Sequence, residues 1–451
     1  MTAPRTRRPR LPQLPPAYRP VLAHRPFRRL LPAFVASDFG DGMAIVTVPW
    51  LAVLLAPEGS RGLYVGTAVA AYALPGALGA LLLGRWMRRF PARRLLFTDA
   101  VLRASMLACV PLAWALGVLT PWLYVVLLAA SSLLHAWGSA GKYALLATLL
   151  PSGQRLPANA LVSASASAAM VFGPAAAGVL ITVVHPAWII GIDALTFAVL
   201  ALGAARVRPG TPGEPKTADP GPADPVADTV GDPAGDPVGG VGGKSTAALA
   251  LFRQRPELLG ILALTWFFFF LYGPVEVALP LHVTDDLGQG AGLLGLYWTL
   301  FSVGAVLGGL AAGMLRRLPL WPTALGIVAG WGLVLLPFGL GAPPAVTVAC
   351  FALGGVIYGP FTALSFTLFQ DRTPEAWLTT VLAVRGAALL ASSPMGTALG
   401  GPLTAAFGPR AVLAGSGVAT LALVAGAVAL ALRARTRGKG TKAAPDPAGA
   451  A

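Results

Sequence analysis

Charge is what this sequence has least of: only 11% of its 451 residues are Asp, Glu, Lys or Arg, against roughly 25% in soluble domains. So few ions cannot cover a water-exposed surface, and 56% of the residues are hydrophobic, so a soluble globular body is excluded. Cysteine is scarce as well. Cys109 and Cys350 lie far apart in apolar runs, which excludes a disulfide-stapled scaffold and a CxxC metal or redox site; both read as small buried hydrophobes. The four histidines, His24, His135, His185 and His282, show no HExxH spacing, and no GxSxG elbow accompanies them. No enzymatic activity, cofactor or metal is expected.

Acids are outnumbered, 18 against 33 Lys and Arg, for a net charge of +15. Such an excess would suit nucleic acid if it formed one surface. It does not: residues 33–206 and 256–432 hold 15 basic and 11 acidic residues, whereas the other 100 residues hold 18 and 7. The excess therefore sits outside the apolar body, and no nucleic-acid partner is expected.

A helix needs about 20 apolar residues to cross the hydrocarbon of a bilayer, and backbone groups in lipid must be satisfied within the segment. Twelve spans fit, over 33–55, 62–83, 95–117, 122–147, 160–184, 187–206, 258–283, 292–315, 320–340, 344–369, 379–404 and 410–432. Counting basic residues by alternate loops places 29 on the side of the two termini and only Arg61 and Arg410 on the other. Positive loops stay inside, so both termini are expected in the cytoplasm.

Residues 207–255, rich in Asp-Pro pairs and glycine, cannot form a packed core and read as a disordered linker. Residues 1–32 and 433–451 read as disordered basic tails; the first has no signal-peptide pattern and suits contact with anionic lipid. The predicted domains are thus two six-helix bundles, 33–206 and 256–432. Landmarks repeat between them at nearly one offset: Pro49 and Pro280 are 231 apart, Gly84 and Gly313 229 apart, Pro174 and Pro402 228 apart. Such a duplication suits two bundles facing a midplane site. Gly239 to Ser245 in the linker nearly spells a phosphate-binding loop, but Val238 replaces the first glycine and no strand precedes it, which argues against ATP-driven work.

Several motifs stand in order along the spans. After span two runs Gly84-Arg85-Trp86-Met87-Arg88-Arg89-Phe90-Pro91-Ala92-Arg93-Arg94, with Asp99 and Arg103 downstream. Span five carries Phe172-Gly173-Pro174-Ala175-Ala176-Ala177-Gly178, echoed by Gly400-Gly401-Pro402 in span eleven. Ser37-Asp38-Phe39-Gly40-Asp41-Gly42, Leu156-Pro157-Ala158-Asn159-Ala160 and Gly191-Ile192-Asp193-Ala194-Leu195-Thr196-Phe197 complete the set. Together they resemble the major facilitator superfamily, and within it the twelve-helix drug, macrolide and siderophore efflux branch called transmembrane secretion effectors. The first motif is similar to the loop signature GxLaDRxGRR, with Arg88 in place of the acid and Pro91 in place of the second glycine; the second is similar to GPxxGG, with Ala177 in place of a glycine. The resemblance implies a cytoplasmic gate at Gly84, Arg89, Arg93, Arg94, Asp99 and Arg103, and a hinge at Gly173, Pro174, Gly401 and Pro402.

Charges inside spans cost roughly 2.5–3.5 kcal/mol each on insertion scales and so mark partners or wet cavities. Asp38 and Asp41, three apart on one helix face, are the candidate proton carriers, with a structural anchor as the alternative. Glu276, Tyr272, His135 and Arg385 are candidates for the substrate cavity; Glu276 and Arg385 can alternatively snorkel, and His135 can be a satisfied core residue. Asp99 and Arg103, four apart, are expected to form an intrahelical ion pair. Lys142 either anchors the end of span four or matches a basic position of the exporter group, and Asp193 is expected to bond within its bundle. Trp266 to Phe270, Tyr272, Tyr297 and Trp298 supply an aromatic wall or a lipid-facing stripe.

The expected protein is an all-α integral membrane transporter of the cell membrane, a monomer whose partners are protons, lipid and a small-molecule substrate. Proton-coupled export of amphipathic molecules is the leading reading. Proton symport or facilitated nutrient uptake, and a transport-dead scaffold or sensor, are the alternatives.

Overall fold

The computed structural model describes residues 18–57, 59–87, 89–207, 255–312, 318–373 and 375–440. Most of the linker, including its glycine-rich run, and the outer parts of both tails lie outside these residues. So does Arg88.

Fifteen α-helices are described: α1 (Arg19–Ala23), α2 (Arg25–Leu55), α3 (Arg61–Met87), α4 (Ala92–Ala115), α5 (Pro121–Ser132), α6 (His135–Leu149), α7 (Ser152–Leu180), α8 (Pro186–Arg206), α9 (Pro256–Leu281), α10 (Ala291–Ala311), α11 (Leu320–Gly339), α12 (Pro344–Tyr358), α13 (Phe361–Arg372), α14 (Glu375–Phe407) and α15 (Pro409–Gly440), with a π-helical turn, His282–Asp286, following α9. Eleven segments are long and apolar enough to cross a membrane, with α5–α6 and α12–α13 each counted as one. The 33-residue α14 holds the twelfth position. Helix starts follow elementary rules: Pro121, Pro186, Pro256 and Pro344 occupy first turns, where a missing N–H costs nothing. At one of them the Thr120 hydroxyl accepts from the Leu123 amide at 3.3 Å.

The first span starts at Arg25 and not at 33, because the basic segment Arg25 to Leu31 belongs to the same helix with Phe27 and Leu30 buried. The last helix continues to Gly440, past the expected 432. Spans four and ten are each broken near mid-height, at Leu133–Leu134 and at Gly359–Pro360. Proline explains the second break, since it removes an N–H and clashes with the preceding turn; sequence reading had both spans continuous.

Turns at one end of the bundle are built on glycine. Gly59, Gly117, Gly288, Gly341 and Gly408 are the positive-φ residues described, and each lies in a connection that follows an odd-numbered span. Within the halves, α2 packs along α7 and α9 along α14; between them, α3 meets α14 and α10 meets α7. The two inter-half seams are counterparts. Gly66 lies against Gly401, so close that a Cβ on Gly66 would stand 2.6 Å from the Gly401 amide nitrogen. Gly295 lies against α7, where a Cβ would stand 2.6 Å from the Pro174 carbonyl oxygen. Gly66 and Gly295 are 229 residues apart, the same offset as the repeat.

Candidate functional site

Charged side chains gather at mid-height of the N-terminal half. α2 supplies Asp38 and Asp41, α3 supplies Tyr72, α4 Asp99 and Arg103, and α6 His135 and Lys142. The two acids do not share one site. Asp38 accepts from Lys142 Nζ at 2.7 Å and from Ser165 Oγ at 2.6 Å, and both members of this ion pair are largely enclosed, at 12% and 15% side-chain exposure. Asp41 accepts from Arg103 at 2.7 Å and from the Tyr72 hydroxyl at 3.2 Å. Three residues apart put both acids on one helix face, but each has its own cation.

Arg103 is the hub. Beyond Asp41, its guanidinium donates to Tyr72 Oη at 2.8 Å and to His135 Nδ1 at 2.9 Å, and it stacks over Phe197 at 4.1 Å. A guanidinium only donates, so His135 accepts through Nδ1 and carries its proton on Nε2. The predicted Asp99–Arg103 pair is absent; Arg103 turns instead toward Asp41. Asp99 packs against Gly138 of α6 and its Oδ1 is buried with no hydrogen-bond partner. The environment is asymmetric, since Arg103 is 4% exposed whereas Asp41 keeps 38% of its side chain open. Asp193, buried on α8, bonds its own Thr196 and lies against the backbone at Gly40.

In the C-terminal half the two charges inside spans, Glu276 and Arg385, are not paired with each other. Glu276 on α9 points inward, accepting from Thr397 Oγ1 of α14 at 2.9 Å, and does not snorkel. Beside it Tyr272 stacks on Tyr358 at 5.9 Å and approaches Trp331 at 5.5 Å, with Phe301 completing the wall. Arg385 on α14 is also buried and does not snorkel; it donates to Ser365 Oγ at 2.7 Å and lies over Phe366 at 3.8 Å. Of the remaining aromatics, Phe268 is in the core while Phe267 is exposed.

Of the residues predicted for the gate, Arg93 and Arg94 make their contacts within the N-terminal half. Arg93 donates to the Ala205 and Val207 carbonyls at 3.3 and 3.1 Å, capping the end of α8. Arg94 stacks on Phe90, Arg89 is exposed, and Gly84 lies in the last turn of α3. Among the described residues the ion pair that joins the halves is Arg61–Asp285, at 3.0 Å, at the opposite end. Gly173 and Pro174 pack on α2 and α10; Gly401 packs on α3, with Pro402 following it in α14. A crevice of about 680 Å³ between α10, α11 and α12 is lined by residues such as Gly308, Pro322 and Ile357 and lies apart from all these charges.

Tyr72, Ser165, Ser365, Tyr358 and Thr397 were not legible as site residues. Each is an ordinary polar or aromatic residue in its own span, and only its approach to a charge from another helix reveals it.

A family model described as Major Facilitator Superfamily matches residues 30–386. The multidrug efflux pump Tap of Mycobacterium tuberculosis is 29% identical over 396 residues, covering 85% of this chain and 88% of that protein. The enterobactin exporter EntS of Escherichia coli is 29% identical over 180 residues, 40% of this chain and 43% of that protein. Among solved structures, a bacterial homologue of the human lysosomal transporter Spinster, inward-facing and unoccupied, superposes with a TM-score of 0.62 at 13% identity, covering 92% of this chain and 96% of that one. A bacterial homologue of the iron transporter ferroportin, also inward-facing, gives 0.61 at 18% identity, with 89% and 98% covered. At these identities the two structures speak for the fold alone. With eleven membrane-length segments and α14 in this arrangement among the described residues and a family match across most of its length, the chain belongs to the Major Facilitator Superfamily: it is a multi-pass cell-membrane transporter and not an enzyme.

Proposed function

We propose that this transporter is a proton-coupled exporter of small amphipathic molecules that works by alternating access. Both efflux relatives support the direction. With the termini in the cytoplasm, the closed glycine seams and the Arg61–Asp285 pair lie at the outer end, which suits loading from the inside. The aromatic wall around Glu276 suits a bulky apolar body carrying a polar group.

The observation that carries the coupling is the Asp41–Arg103 pair, an open acid held by an enclosed cation that also binds Tyr72 and His135. A proton arriving on Asp41 cancels its hold on Arg103. The guanidinium, too costly to leave unpaired in a low-dielectric setting, then turns to Asp99, one helical turn away, whose Oδ1 has no partner. This exchange keeps Arg103 paired with an acid while the arriving proton raises the net charge of the half by one, and it rearranges contacts among α2, α3, α4 and α6. A shift between two packings of these helices is what proton binding can bias.

The test uses full-length protein in liposomes with an imposed pH gradient and a fluorescent amphipathic substrate. Asp41→Asn should bind substrate yet lose gradient-driven export, and Asp99→Asn should slow it. Gradient-driven export unchanged in Asp41→Asn would remove Asp41 from the mechanism.

A further inference from the structure

The two halves treat their charges differently. In the N-terminal half Asp38 has Lys142 and Asp41 has Arg103. Arg385 in the C-terminal half has no carboxylate within ion-pair distance among the described residues. It is 5% exposed; its terminal nitrogen donates to Ser365, and its Nε is enclosed with no partner. Phe366 and Phe369 flank the guanidinium at 3.8 and 5.6 Å, which shields it but supplies no anion.

An arginine stays protonated, so this position cannot discharge its cost by losing a proton as a lysine or carboxylate would. An enclosed cation of this kind is strongly unfavourable unless a counter-charge is brought in. One hydroxyl and two ring faces supply hydrogen bonding and polarisation, not charge. The planar fork of Arg385 retains free donors, and such a fork matches the two oxygens of a carboxylate. Ser365 fixes the orientation of the fork from α13, so the receptor is built from two helices that meet beside the break at Gly359–Pro360.

We propose that Arg385, oriented by Ser365 and flanked by Phe366 and Phe369, is an anion-binding site in the C-terminal half that takes a single carboxylate-like group. This rests on the export reading insofar as the group is carried by the transported molecule, which then is an amphipathic acid or a molecule with an acidic substituent. The same chemistry would accept a small inorganic anion, and the two sources separate experimentally.

The experiment measures thermal unfolding of the purified full-length protein in detergent against benzoate, neutral benzamide and chloride. Benzoate should raise the midpoint where benzamide does not. Arg385→Gln should weaken the apparent benzoate affinity by about tenfold or more, the loss expected of a charge-assisted hydrogen bond, while Arg385→Lys retains part of it. Ser365→Ala, a smaller change, keeps the test valid if Arg385→Gln fails to fold, and should weaken benzoate severalfold. Competition of chloride with benzoate at equal concentration assigns the site to small anions generally, and benzoate protection insensitive to chloride assigns it to an organic acid. Equal responses of wild type, Arg385→Gln and Ser365→Ala to benzoate, or no response in any, would overturn the site. Export of a neutral dye along a pH gradient is recorded on the same protein. If dye export persists without benzoate protection, the anion site falls and the export reading stands; the reverse result removes the export reading and leaves the site.

Discussion

Lys142 and Asp38 show how one spacing argument can be half right. Both were visible as intramembrane charges, but which acid would meet which base was decided by α2 and α6 crossing. Their pair is mostly enclosed, so removing one member strands the other. Lys142→Met should destabilise the protein by about 3 kcal/mol, read as a lower unfolding midpoint in detergent. The double variant Asp38→Asn with Lys142→Met should recover most of that loss, because no charge is then left unpaired. If Asp38→Asn also leaves gradient-driven export intact, Asp38 is the anchor and Asp41 alone carries the proton.

Helices meet in this protein through missing side chains. At the α9–α14 crossing a Cβ on Gly273 would stand 2.6 Å from the Ser393 carbonyl oxygen and 2.5 Å from the Gly396 carbonyl carbon. Backbones this close are typical of small-residue packing in membranes, where van der Waals contact takes over from a hydrophobic drive. The crossing also brings Thr397 to Glu276. Gly273→Leu should therefore force α9 and α14 apart, lower the unfolding midpoint, and weaken binding of a substrate that uses Glu276. A substrate affinity unchanged in a folded Gly273→Leu protein would separate the crossing from the cavity. The broken spans belong to this scale too: α6 begins at His135 directly after its break, which brings the imidazole to Arg103.

Across the whole molecule, closure at one end is divided between one exposed ion pair and two backbone seams. Arg61 and Asp285 are 51% and 31% exposed, and exposed pairs contribute about 0–1 kcal/mol, so Arg61→Ala should shift the conformational balance only slightly. Gly66→Leu should shift it far more, since a side chain there meets the Gly401 backbone. Spin labels at the Arg61 end of α3 and the Phe407 end of α14 would read both effects as distance distributions, with the longer distance dominant in Gly66→Leu. Cys109 and Cys350 are both free and would be replaced by alanine for this measurement.

The amino-acid sequence by itself determined that the chain spans the membrane repeatedly, because 56% hydrophobic residues in runs of this length have no other stable home. It also determined which residues carry charge inside the spans, and the repeat at an offset near 229 anticipates the paired seams of Gly66 and Gly295. Tertiary structure alone decided the partners. Arg103 lies four residues from Asp99, a spacing that favours pairing along one helix, yet it bonds Asp41 across 62 residues, because three other helices present an acid, a hydroxyl and an imidazole to it together. Arg385 was legible as a charge but not as a cation without a counter-ion, since solitude is a property of the surroundings. Local sequence fixes helices through periodicity and backbone hydrogen bonding; the energy of a buried charge depends on what other segments bring within a few ångströms.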